Sequence, residues 1–159
     1  MSNMRILTRS ILAVILCLTF LSAGAVGADD RFMDNGDGTV TDSKTGLMWA
    51  QTDSLGDITW HDAKLYSEFI ILSKYNDWRM PTIEELETLF DESLDGYKTI
   101  CGHKVKAAPE IELSCGFVWS SEVRSISALA YNYSRGYRYS SRMSQYRGFR
   151  ALPVRNVGE

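Results

Sequence analysis

Residues 77–86 read Asp-Trp-Arg-Met-Pro-Thr-Ile-Glu-Glu-Leu, and no other stretch limits the fold so tightly. Pro81 pushes Met80 into an extended conformation, because the proline ring clashes with a helical predecessor. A helix-like segment running up to Asn76 therefore stops, and a new one has to begin after Pro81. Thr82 is the expected N-cap, its side-chain oxygen taking an orphan backbone N–H, and Glu85 three residues later completes a capping box. Trp78 and Arg79 then occupy an extended link between two helices. The indole is expected to close the core shared by both helices and the strand at 118–121. The guanidinium is expected to be a buried tether.

The rest of the chain supplies partners for those helices. Thr59 opens the first one, with Asp62 at its third position, and Ala63, Tyr66, Phe69, Ile70 and Ser73 recur at helical spacing as a buried face over 60–72. The second, over 83–91, buries Ile83, Leu86, Leu89 and Phe90. It leaves Glu84, Glu87 and Glu92 in water, where they favour the helix dipole. Upstream, the Asn35-Gly36, Asp37-Gly38 and 43–46 turns separate short strands at 31–33, 39–41 and 47–50, the last carrying the structural Trp49. Downstream, 96–116 is a long irregular excursion containing Pro109. Strands resume at 117–121 with the core residue Trp119, then at 128–133, 137–139 and 148–154. In the 128–133 strand Leu129, Tyr131 and Tyr133 share one face, and Ala128, Ala130 and Asn132 the other. Strands, two helices, a loop and more strands make an α+β fold with antiparallel sheets.

Export follows from the N-terminus. Arg5 and Arg9 precede an apolar run over 11–21 and a small-residue stretch over 22–28, the layout of a secretory signal peptide. Cleavage is expected after Ala28, with Ala25 as the alternative. Leu16 before Cys17 argues against lipid attachment. Residues 29–159 then form one domain. Cys101 and Cys115 remain as an even pair in an exported chain, so a disulfide is expected. Closing a loop of about 15 residues, it contributes on the order of 3 kcal/mol. With His61 and His103 as the histidines of the whole sequence, neither spacing nor histidine supply supports a zinc site. The Asp-rich turn over 34–42 is not an EF-hand, since that alignment puts Met33 and Lys44 at positions needing carboxylates; a looser calcium site stays open.

Charge is unevenly spread. Acidic residues dominate 29–115, whereas from Gly116 onward Arg124, Arg135, Arg138, Arg142, Arg147, Arg150 and Arg155 face Glu122 and Glu159 alone. Within this third, Tyr131, Tyr133, Tyr137, Tyr139 and Tyr146 are interleaved with arginines. Tyrosine offers a sugar ring an apolar face and a hydroxyl, and arginine grips sulfate or carboxylate bidentately.

Four separated pieces stand in register: 34–42 with Thr45-Gly46-Leu47-Met48-Trp49; 77–82 with Glu85-Leu86; Val118-Trp119-Ser120-Ser121; and Gly148-Phe149-Arg150 with Pro153-Val154-Arg155. Together they resemble the DUF1566 family, also called the Lcl C-terminal domain, over nearly all of the expected mature chain. The resemblance implies a fold similar to C-type-lectin-like and formylglycine-generating-enzyme-like domains: two helices on antiparallel strands, with a long loop. It also implies an exported or surface module, since the adhesin for which the family is named uses its copy in binding sulfated polysaccharides. Two family cysteines are replaced here by Ser67 and Ala151, and the adhesin's collagen-like stalk is missing.

The expected function is therefore a non-catalytic binding module for an anionic or sulfated polysaccharide, periplasmic or at the cell surface. Its expected ligand residues are Tyr133, Arg135, Tyr137, Arg138, Tyr139, Arg142 and Arg147. The alternative is a structural or assembly subunit that uses the same surface against a protein. Export argues against nucleic acid. No enzyme, metal or cofactor is expected, because no Ser-His-Asp order, metal cluster or phosphate loop can be assembled and the disulfide leaves no active-site cysteine.

Overall fold

The computed structural model describes residues 31–158, so the expected signal peptide over 1–28 lies outside the described residues. Among these, no helix is long and apolar enough to cross a membrane. In chain order the elements are β1 (Phe32–Asp34), β2 (Thr39–Asp42), β3 (Leu47–Ala50), α1 (Trp60–Phe69), α2 (Ile83–Glu87), β4 (Tyr97–Lys98), β5 (Lys104–Val105), β6 (Phe117–Arg124), β7 (Ser127–Asn132), β8 (Tyr137–Arg142), β9 (Phe149–Arg150) and β10 (Val154–Asn156). The fold is mixed α+β, with sheets ordered β1-β2-β3-β10, β4-β5 and β8-β7-β6-β9.

The expected capping box is present. Thr82 Oγ1 accepts from Glu85 N–H at 3.1 Å, and the Glu85 carboxylate accepts from Thr82 N–H at 2.8 Å. The Glu122 carboxylate adds a third acceptor, 3.0 and 3.1 Å from Ile83 N. Thr59 caps α1 with its side-chain oxygen alone, which accepts from Asp62 N–H. Trp78 is buried, its indole N–H donating to Tyr75 O. Arg79 is less enclosed than expected: its side chain is half-buried while it grips Glu85 at 2.8 and 2.7 Å and its backbone bridges to Val154.

Two apolar layers cover the faces of the β8-β7-β6-β9 sheet. On one face Val118, Leu129, Tyr131 and Tyr133 join Ile83, Leu86 and Leu89, and also Val40, Trp49 and Val154 of the first sheet. Full burial of Leu86 alone is worth about 1.5–3 kcal/mol. On the other face Trp119, Ala128, Ala130 and Phe149 pack with Trp60, Ala63 and Met80. Two indoles lock this second layer reciprocally: Trp60 Nε1 donates to Ser120 O at 2.8 Å, and Trp119 Nε1 donates to Ile58 O at 3.0 Å.

Several expectations are corrected. α1 ends at Phe69, because Ile70 turns extended at ψ 136°, and its buried face is Trp60, Ala63 and Ser67, leaving Phe69 exposed. α2 stops at Glu87, with Leu89 and Phe90 held in following turns. The single strand expected over 148–154 is two. β9 pairs parallel with β6, whereas β10 pairs antiparallel with β3 in the other sheet. Pro153 lies between them and has no N–H for a continuous ladder, though its carbonyl accepts from Ala50 N–H.

Cys101 and Cys115 form the expected disulfide, with Cα atoms 5.4 Å apart. The loop it closes is anchored by a buried polar chain. Ser114 Oγ donates to Asp53 and accepts from Arg150 Nε, both at 2.6 Å, and Arg150 reaches Asp57 at 2.6 Å.

Candidate binding surface

β8 forms one edge of its sheet, paired only with β7, from Ser127↔Arg142 to Asn132↔Tyr137. The connecting turn is closed by Gly136 N–H donating to Asn132 O at 2.8 Å, and by Ser134 N–H to the Asn132 side chain at 2.9 Å. Along an edge strand, successive side chains alternate between sheet faces. Tyr137 and Tyr139 are thereby separated in space from Arg138 between them.

Tyr137 and Tyr139 fall on the face of Trp119 and Phe149. Their rings lie 6.3 Å apart, and Tyr139 is 5.2 Å from Phe117. Phe117 stacks on Phe149 at 5.1 Å, and Phe149 on Trp119 at 4.2 Å. This is a graded aromatic terrace, from a fully buried indole to tyrosines 38% and 40% exposed. Tyr146, 45% exposed, follows in the next loop, with the Arg147 guanidinium 5.9 Å from its ring centre.

Two expected ligand residues are otherwise engaged, one in the core and one in surface ion pairs. Tyr133 is fully buried, its hydroxyl donating to Leu86 O at 2.7 Å, and burial holds its phenol well above the ordinary range. Its parity with Leu129 and Tyr131 places it in the core. Arg138 turns to the α2 side, where it bonds Glu87 twice at 2.7 Å and meets Glu84 at 3.0 Å. The Glu87 bond raises the Arg138 pKa, and Arg138 in turn lowers that of Glu87. Two carboxylates already pair with this arginine, so Glu84 and Glu87 are not merely solvated and an anion has to compete with them for Arg138.

Arg135, Arg142 and Arg147 are exposed and, among the described residues, form no ion pair. Arg142 lines a groove of about 520 Å³ with Thr59, His61, Ile126, Met143 and Ser144. His61 and Ile126 come from distant segments, and no sequence signal joins them to Arg142.

The Asp-rich turn uses its own oxygens. Asp34 accepts from Gly36 N–H and Gln51, Asp37 from Thr39 and Ser73, and Asp42 is paired with Arg31. His103, in contrast, is brought against the disulfide: a ring nitrogen and both sulfurs lie within 4.8 Å of one another. Counting histidines missed this; the Cys101-Gly102-His103 spacing was the available signal.

The sequence pattern described as the Lcl C-terminal domain matches residues 38–155. No curated protein matches the chain.

Proposed function

This chain belongs to the Lcl C-terminal domain family, and from that premise we propose that it is a non-catalytic module binding an anionic or sulfated polysaccharide at the cell envelope or surface. The observation that carries this reading is the terrace ending in Tyr137 and Tyr139. Rings fixed from behind by Phe117 and Phe149 present apolar faces at little entropic cost, which suits stacking against sugar rings. Arg142 at the end of β8 and Arg147 in the loop after it, with no ion pair among the described residues, supply cations for sulfate or carboxylate groups. The overall arrangement is in keeping with a C-type-lectin-like domain: two helices against mainly antiparallel sheets, a disulfide-stapled loop, and first and last strands joined in one sheet.

Retention of the full chain on a dextran sulfate column, eluted with salt, tests the proposal. The double variants Tyr137→Ala/Tyr139→Ala and Arg142→Ala/Arg147→Ala should each elute at lower salt, the arginine pair with a weaker salt dependence. Unchanged elution of both would remove this surface from consideration.

A second reading, an assembly subunit with a protein partner, draws on Leu65, Phe69 and Ile71, which stand 51%, 77% and 76% exposed around the end of α1. It is favoured if Phe69→Ser abolishes a protein complex while column retention is unchanged.

A further inference from the structure

The geometry points to a zinc-class metal site, formed when the Cys101–Cys115 disulfide is reduced, with Cys101, Cys115 and His103 as its protein ligands. Two thiolates and an imidazole are the donor set a borderline-soft d¹⁰ cation favours. Here the three ligand atoms already lie within 4.8 Å of one another. Tetrahedral zinc with sulfurs at about 2.3 Å needs them roughly 3.8 Å apart. Reduction therefore has to separate the sulfurs by only a short movement, between cysteines whose Cα atoms are 5.4 Å apart. Cys115 is buried and Cys101 exposed, so the movement falls on Cys101.

The loop carrying two of the ligands is held independently of the disulfide. Thr99 N–H and Oγ1 both donate to His103 O, at 2.8 and 3.0 Å, and Thr99 Oγ1 accepts from His103 N–H at 3.1 Å. Cys101 N–H donates to Ser114 O, and Thr99 Oγ1 lies 3.4 Å from Cys101 Sγ. The turn that presents Cys101 and His103 together thus keeps its own bonds when the sulfur bridge opens.

A separate observation marks the same place. Ser134 Oγ is buried without a hydrogen-bond partner among the described residues. Gly116, next to Cys115, explains how the groups converge: a Cβ there would meet His103 Nδ1 at 3.0 Å and Ser134 Oγ at 3.1 Å. The missing side chain lets an imidazole nitrogen and an orphan hydroxyl close in on the backbone beside Cys115.

The chemistry balances with a small dithiol as reductant. One of its thiolates attacks the exposed Cys101 sulfur, the S–S bond breaks and Cys115 leaves as a thiolate. The second thiol resolves the mixed disulfide, and the reductant departs as its own disulfide after giving up two electrons. Zn²⁺ then replaces the two thiol protons, which pass to solvent.

The test is titration of the full chain with Co²⁺ as a spectroscopic probe, in oxidised form and after anaerobic phosphine reduction. The reduced chain should bind one Co²⁺ with a thiolate-to-cobalt charge-transfer band that Zn²⁺ abolishes, while the oxidised chain shows no band. Cys101→Ser should lose the dithiolate band, and His103→Ala should bind at least about tenfold more weakly. Near-ultraviolet circular dichroism of the oxidised His103→Ala chain checks its fold. Wild-type affinity in that variant, one metal shared by two chains, or no band in the reduced chain would each overturn the proposal. So would binding that leaves the near-ultraviolet spectrum of an unfolded chain unchanged.

Discussion

Arg155 and Asp77 form a two-pronged ion pair, Nε to Oδ1 at 2.8 Å and Nη2 to Oδ2 at 2.9 Å, with the guanidinium also 4.0 Å from the Tyr75 ring centre. The two residues are 78 apart in sequence, and the pair ties the inter-helix link to the last strand. It is asymmetric: Arg155 is 2% exposed in its side chain and Asp77 40%. Removing the acid takes the two-pronged carboxylate partner from a buried cation, whereas removing the arginine leaves a carboxylate that water can reach. Asp77→Asn should therefore cost about 2–3 kcal/mol, below the range for a fully enclosed pair because Asp77 is partly solvated. Arg155→Met should cost no more. Urea unfolding of both variants gives the comparison.

Acid should unfold the chain through several paired carboxylates. The Arg155 and Arg150 bonds lower the pKa values of Asp77 and Asp57. Burial pushes Asp42 and Glu85 up, but donors led by Arg31 and Arg79 outweigh it, so both also end below their ordinary values. Groups depressed in the folded state contribute stability that is fully present above their unfolded values of about 3.9 and 4.3, and is lost as pH falls through the folded ones. The melting temperature should be flat from about pH 7 to 5 and fall below about pH 4. Asp42→Asn should shallow that fall, and an unchanged acid limb would count against this assignment.

Arg138→Ala separates structural from binding arginines. It breaks contacts to Glu84 and Glu87 across the β8–α2 junction but removes no open cation. Elution from dextran sulfate should shift less than for Arg142→Ala or Arg147→Ala. A larger shift would mean that ligand displaces the glutamates.

The turn between β7 and β8 depends on Gly136, at φ +68°, where a Cβ would lie 2.4 Å from the Phe90 ring. Gly136→Ala combines a left-handed backbone penalty with a ring that must move. Thermal unfolding should show a loss of roughly 2–4 kcal/mol.

Replacing both Cys101 and Cys115 with alanine should cost on the order of 3 kcal/mol, measurable as a lower urea midpoint. The loop's own hydrogen bonds predict that the variant still folds, which a native near-ultraviolet spectrum would show.

Local chemistry was legible in the sequence. The Thr82–Glu85 box, the Asn-Gly turn, β3 and the disulfide rest on neighbours along the chain or on a simple pairing. What depends on which face meets which layer was less so. Phe69 matched a helical period yet points outward, because tertiary packing rotated the buried stripe of α1 onto Trp60, Ala63 and Ser67. For the binding surface, strand alternation already implied that Tyr137 and Tyr139 could not share a face with Arg138. Tyr133 likewise carried the parity of the core-facing Leu129 and Tyr131. The approach of His61 to Arg142 arises from topology and no local rule announces it, whereas that of His103 to the sulfurs was foreshadowed only by its spacing from Cys101.

The division of the final segment at Pro153 bears on the order of folding. β9 completes one sheet beside β6 and β10 completes the other beside β3. Neither sheet has its full set of strands until residues 149–156 have emerged from the ribosome, so early strands wait for the last ones. Such distant closure slows folding relative to locally wired domains, and it makes this short segment the latch that commits both halves at once.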